Sequence, residues 1–221
     1  MIEAIRRELA ARADPAKAPD MQAYMKSAMP FLGVQKPGRV EVARTVFPAY
    51  ALDGFDAWRD TVLRLWREAT YREERYLAIA LARDRRYRAH RTMAALPLYE
   101  ELIVTGAWWD FVDEVAIRLV GELELGSFLP EWARDEDMWK RRTAIIAQVT
   151  RKDATDAQLL FDCIEPNRAD GEFFIRKAIG WALRDYSKTD PDAVERYCAT
   201  HDLSALSRRE ALRNLDRIRS A

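Results

Sequence analysis

The chain has 221 residues and a mass of 25.6 kDa, enough for one large domain or two small ones, and its 49% hydrophobic and 10% aromatic content excludes a disordered chain. Thirty-six basic and thirty-six acidic residues cancel to a net charge of zero, which excludes a uniformly basic nucleic-acid binder. Two cysteines, two histidines and eight glycines argue against a zinc cluster, a disulfide framework and a glycine-rich phosphate cradle, so neither a metal nor a cofactor is expected. No GxGxxG is present, and Gly121 to Gly126 followed by Ser127 lacks the lysine of a P-loop.

At the N-terminus, MIEAIRRELAARAD is charged throughout and carries no apolar stretch ending in a small-residue cleavage site. The longest uncharged run, Ser27 to Gln35, has nine residues. A bilayer span needs roughly 18 to 20. The expectation is a soluble, cytoplasmic protein with no membrane partner. Further along, apolar residues recur at three- and four-residue spacing and β-branched alternation is scarce, which predicts an all-α chain. Turn signals at Pro48, Asp53-Gly54, Pro97, Gly106, Gly126 with Pro130, Glu165-Pro166-Asn167, Asp170-Gly171 and Asp190-Pro191 divide it into about a dozen helices. An Ala followed by a large aliphatic residue returns at Ala78-Ile79, Ala116-Ile117, Ala144-Ile145, Ala178-Ile179 and Ala211-Leu212, at spacings of 38, 28, 34 and 33 residues. Such a period predicts a solenoid of about six helix hairpins, because a small residue lets successive repeats approach closely.

Charge is distributed unevenly along these elements. Residues 1–94 carry 18 basic and 12 acidic side chains (+6), 95–138 carry 2 and 11 (−9), 139–188 carry 10 and 7 (+3), and 189–221 carry 6 and 6 (0). Two basic regions flank an acidic one, a pattern that solvated helices of mixed charge also produce.

Four strings then point in one direction. Tyr24-Met25-Lys26 with Phe31-Leu32-Gly33-Val34, Trp108-Trp109-Asp110-Phe111-Val112-Asp113, Trp139-Lys140-Arg141-Arg142-Thr143-Ala144-Ile145, and Phe173-Phe174-Ile175-Arg176-Lys177-Ala178-Ile179-Gly180-Trp181-Ala182-Leu183-Arg184 lie in collinear order. Together they resemble the AlkD family of bacterial DNA alkylation-repair glycosylases over nearly the whole chain. The resemblance implies a single domain over 1–221, a superhelix of HEAT-like repeats that acts on duplex DNA containing alkylated purines. It implies excision of cationic 3- and 7-alkylpurines by base excision repair without metal or cofactor, with the base left stacked rather than flipped. A monomer is expected.

The residues allow that chemistry. An alkylated purine is already a good leaving group, so a fixed carboxylate that stabilises an oxocarbenium-like sugar and orients water would suffice. Asp113 is the candidate carboxylate. It stands four residues after Trp109 on one helix face, and an indole is the best aromatic partner for a cation. Trp181 would close the other side, four residues after Lys177 and three before Arg184. Asp110 is the rival carboxylate, on a neighbouring face, and Trp108 is assigned to the core. In the Trp-x-Arg-Arg string the resemblance implies that Arg142 contacts the DNA backbone, with Arg141 turned elsewhere, and Arg184 and Lys177 receive the same phosphate role. Tyr24 matches a family position near the DNA, with an edge-packing tyrosine as its alternative. The basic run RDRRYRAHR, Arg83 to Arg91, extends the DNA track or forms a solvated helix end. Most carboxylates of 95–138 must point away from a DNA surface. Two other functions remain open: a HEAT-like scaffold that binds DNA or protein without catalysis, and a specialised glycosylase for bulky natural-product adducts.

Overall fold

Short polar side chains start several of the helices. Asp137 Oδ1 accepts from the amides of Trp139 and Lys140, Asp156 from Leu159, Asp190 from Ala193 and Ser204 from Ser207, each satisfying donors that a helix leaves open at its first turn. The computed structural model describes residues 1–213 and 215. Among these there are thirteen α-helices and no strand: α1 (Ile2–Ala10), α2 (Ala18–Met25), α3 (Lys36–Val46), α4 (Gly54–Arg67), α5 (Arg72–Ala82), α6 (Leu96–Gly106), α7 (Trp109–Arg118), α8 (Leu129–Trp132), α9 (Met138–Ile146), α10 (Ala157–Ile164), α11 (Phe173–Tyr186), α12 (Pro191–Thr200) and α13 (Ala205–Leu212). The fold class is all-α, in the solenoid-like helical-repeat manner that the spacing predicts. No described helix is long and apolar enough to cross a membrane. Pro97 begins a helix rather than separating two, since the first turn has no use for the missing N–H.

Two compact units form, with the boundary inside α6, after Leu98. In the first, α1 packs on α3, and α5 packs on α1, α3 and α4 around Trp58, Trp66, Leu65 and Leu77. Glu73 organises this unit from inside. Its carboxylate is fully buried and accepts the backbone N–H groups of Leu32, Gly33 and Val34 at 2.9 to 3.1 Å. Gly33 is required there, because its φ is +84° and a Cβ would stand 2.1 Å from the Asp14 carbonyl oxygen.

In the second unit α7, α9, α11 and α13 form a row, each packed on the next, with α10 against α9 and α12 against both α11 and α13. Four of the five repeated alanines sit on this row, Ala116, Ala144, Ala178 and Ala211, all buried and one on each helix, whereas Ala78 is buried on α5 of the first unit. A small buried residue leaves room for a neighbouring helix, and in this unit it recurs once per helix of the packed row. Burial of Ile145, Ile146, Ile175, Ile179 and Leu183 in the same cluster supplies the apolar area.

Glu73→Ala should lower the unfolding free energy by about 3 kcal/mol, because it orphans two buried amides and one half-buried amide that now bond a carboxylate. Equilibrium urea unfolding checks this. A loss under about 0.5 kcal/mol, the size of an ordinary surface change, would contradict the role given to Glu73.

Candidate functional site

Trp108 precedes α7 with extended backbone (φ −153°, ψ 143°), and the helix then carries Trp109, Asp110 and Asp113 in its first two turns. Helix α9 packs against both α7 and α11. From its middle Arg142 reaches in two directions. Its Nε donates to Asp113 Oδ1 at 2.7 Å and its Nη2 to Oδ2 at 2.8 Å, a bidentate pair. Its Nη1 donates to the Phe174 carbonyl at 2.5 Å, at the start of α11. The Arg142 side chain is only 5% exposed, and that of Asp113 keeps 15%. Burial pushes the Asp113 carboxyl up from the ordinary aspartate value, the Arg142 hydrogen bonds and charge pull it back, and the Asp110 charge adds to the rise.

Aromatic rings cluster beside Arg142. Phe174 lies 5.2 Å from Trp139, 5.5 Å from Trp108 and 5.4 Å from Phe173, and the Arg142 guanidinium stands 5.9 Å over the Phe174 ring. Trp108, assigned to the core from sequence, is half-buried like Trp109 and joins the aromatic cluster through Trp139 and Phe174. Trp109 and Trp181 are each half-buried, and neither ring pairs with another aromatic ring among the described residues. Trp181 leans on the apolar core of the unit.

The basic residues divide by what they meet. Arg142, expected on the DNA backbone, instead faces inward and spends three of its N–H groups on Asp113 and Phe174. The reason is that α7 and the start of α11 cover the face of α9 that carries it. Arg141 turns the other way, to Asp170 and the carbonyls of Asp135 and Glu136. Lys177 and Arg184 keep part of their surface open, and both pair with Glu210 of α13. Tyr24 belongs to the first unit, at the end of α2, where it is 75% exposed rather than packed at an edge. In the run Arg83 to Arg91, Arg86 is held by Asp84 and the Phe47 carbonyl, Tyr87 is buried, and Arg85 and Arg88 are exposed.

The acidic segment 95–138 is largely neutralised or turned to solvent. Glu100 and Asp135 bind Lys140, Asp113 binds Arg142, Asp137 caps α9, and Glu122, Glu124, Glu131 and Glu136 are exposed. Two features escape a reading of the sequence. The Asp113–Arg142 pairing has a signal, since both residues stand in the matched strings, whereas Glu210 has none.

Comparison with known proteins follows the same lines. The family model described as DNA alkylation repair enzyme matches residues 5–215. A solved structure, a predicted DNA alkylation repair enzyme from Enterococcus faecalis, superposes with a TM-score of 0.83 at 30% identity, covering 91% of this chain and 95% of that one. None of the curated proteins matches.

Arg142→Ala leaves Asp113 buried without its partner, and urea unfolding near neutral pH should give a stability loss of about 3 to 5 kcal/mol. The sign with pH follows from the raised carboxyl. The folded state holds the Asp113 proton more tightly than the unfolded chain, so that contribution is complete below 3.8 and is lost as pH rises through the raised value. Without Arg142 the value rises further, so the variant's deficit should be small in acid and grow towards neutrality. A deficit that does not change with pH would leave Arg142 with a packing role alone.

Proposed function

The chain belongs to the DNA alkylation repair enzyme family, and from that membership we propose that it is a monofunctional DNA glycosylase that hydrolyses the N-glycosidic bond of cationic 3- and 7-alkylpurines in duplex DNA. The observation that carries this reading is the Asp113 carboxylate, gripped through both oxygens by Arg142 and still 15% exposed. A carboxylate held this way needs no reorganisation when positive charge develops beside it.

The reaction balances without a cofactor. The bond from sugar C1′ to the purine nitrogen breaks, both electrons go to the base, and the base leaves neutral. The sugar becomes oxocarbenium-like, water adds at C1′, and one proton is released. Asp113 stabilises the developing charge and orients the water, which is the role of a fixed carboxylate in glycoside hydrolysis generally. Trp109, one turn before Asp113, offers an indole face to the cationic base, and Trp181 offers a second from α11. Arg142 acts here through Asp113, as a positioning residue. Lys177 and Arg184 are the backbone contacts on the stripe of Trp181, and Tyr24 is an exposed contact from the first unit. An enzyme of this kind uses duplex DNA as its partner, works as a monomer, and can leave the base stacked because the attacked atom is in the sugar.

Release of 7-alkylguanine from treated duplex, scored without heating, tests the reading. Asp113→Asn should cut single-turnover excision at least about a hundredfold, the value of roughly 3 kcal/mol from one preorganised electrostatic contact. Asp110→Asn should cost far less. Circular dichroism and a melting curve establish that the Asp113→Asn variant is folded at the assay temperature. Since Asp113 must be ionised and its carboxyl is raised, the acid limb of the parental rate should have its midpoint above 3.8. If both variants excise at the parental rate, the assignment to α7 is wrong; if the parent releases no base, a non-catalytic scaffold is the better reading.

A further inference from the structure

Lys177, Gly180, Trp181 and Arg184 form one stripe of α11 at i, i+3, i+4 and i+7. Helix α13 crosses this stripe at close range. A Cβ on Gly180 would stand 2.5 Å from Glu210 Cβ and 3.0 Å from the Ser207 carbonyl oxygen, so glycine alone admits the neighbouring helix at this depth. Ser207 is fully buried and donates its hydroxyl to the Arg176 carbonyl at 3.0 Å, which fixes the rotation of α13.

Glu210 is thereby aimed at the two cations that flank Trp181. Its Oε1 lies 3.2 Å from Lys177 Nζ and its Oε2 2.5 Å from Arg184 Nη1. The carboxylate is 13% exposed, whereas Lys177 and Arg184 keep 36% and 22%. No other acid pairs with either cation among the described residues. Burial opposes the charge on Glu210, yet Lys177 and Arg184 hold its carboxyl below the usual glutamate range. The group therefore stays ionised across neutral pH, and the stripe presents one net positive charge where its two cations alone would present two.

We propose that Glu210 is an internal counter-anion that occupies the phosphate-contact cations of α11, so that duplex DNA engages Lys177 and Arg184 only by displacing it. The proposal rests on the reading of those two residues as backbone contacts. Non-specific binding to undamaged DNA comes almost wholly from such contacts and the counterions they release. A carboxylate already seated on both cations lowers that term without touching Asp113. The consequence is weak binding to undamaged duplex, which lets the enzyme move on, while the groups that meet a lesion are unaffected.

The test measures binding to an undamaged duplex oligonucleotide by fluorescence anisotropy across a salt series. Glu210→Gln should bind roughly three- to tenfold tighter at about 50 mM salt and steepen the log–log salt slope by about 0.9, the value of one added phosphate contact. In a Lys177→Ala/Arg184→Ala background the same substitution should gain nothing. Glu210→Asp, which keeps the charge on a shorter arm, should stay near the parental slope, and melting curves establish that each variant is folded. Unchanged affinity and slope in Glu210→Gln overturn the proposal, as does a gain that survives in the double-alanine background or is shared by Glu210→Asp. Excision is read separately. A parent that excises while Glu210→Gln binds no differently keeps the glycosylase and loses the counter-anion; a parent that excises nothing while Glu210→Gln binds tighter keeps the counter-anion and loses the glycosylase.

Discussion

A guanidinium left only 5% exposed has to be neutralised where it lies, and in this protein Arg142 meets that requirement with one carboxylate and one main-chain carbonyl. Its three bonds join α7, α9 and the first turn of α11. Replacing such a pair with apolar residues often costs little stability, so what the pair contributes here is geometric: three hydrogen bonds that tie α9 to α7 and to the start of α11. Asp113 cannot rotate without breaking two charge-assisted hydrogen bonds. The aromatic cluster of Trp108, Trp139 and Phe174 reinforces the arrangement, because its rings come from the segment before α7, from α9 and from α11 and pack on one another.

The distances along the chain explain why these groups meet. Asp113 and Arg142 are 29 residues apart, and Arg142 and Phe174 are 32 apart. Ala116 and Ala144 are 28 apart and Ala144 and Ala178 are 34 apart, so each contact in the site spans one packing repeat. Glu210 continues the pattern, 33 residues from Lys177 and 26 from Arg184. A helical repeat places equivalent turns side by side, and polar residues at equivalent turns become neighbours although no short motif contains them both.

That property decides what a reading of the sequence can and cannot supply. The Ala-aliphatic spacing marks the packed row α7, α9, α11, α13 because a small residue at a helix contact is a local requirement. The i, i+4 relation of Trp109 and Asp113 is equally local. Arg141 and Arg142 are distinguished by the roughly 100 degrees between consecutive helix positions, which tells that they face differently. It does not tell which face the next repeat covers, and so Arg142 reads as a DNA contact when its partners are inside the protein. The acidic segment is a related case. Charge counting along 95–138 sees eleven carboxylates, while the partners that neutralise Glu100, Asp113 and Asp135 lie on α9, beyond the end of the segment. A lone Glu210 on α13 carries no motif at all, and its meaning comes from the glycine opposite it.

Pairing also resolves the apparent conflict between acidic groups and a polyanionic partner. Seen from several ångströms away, Asp113 with Arg142 is a neutral dipole and repels a phosphate far less than a bare carboxylate would. At contact range the nearer carboxylate oxygens dominate. A cation formed against the exposed edge of Asp113 is then favoured, whereas the intact backbone is nearly indifferent to it. Only an interaction that strengthens on the way to the transition state accelerates a reaction, and a buried, neutralised carboxylate has that property towards charge that arrives late and close. On the glycosylase reading the charge moves from the base to the sugar as the bond breaks. On that same reading, the arginine that burial makes necessary is also what would let a carboxylate serve beside DNA.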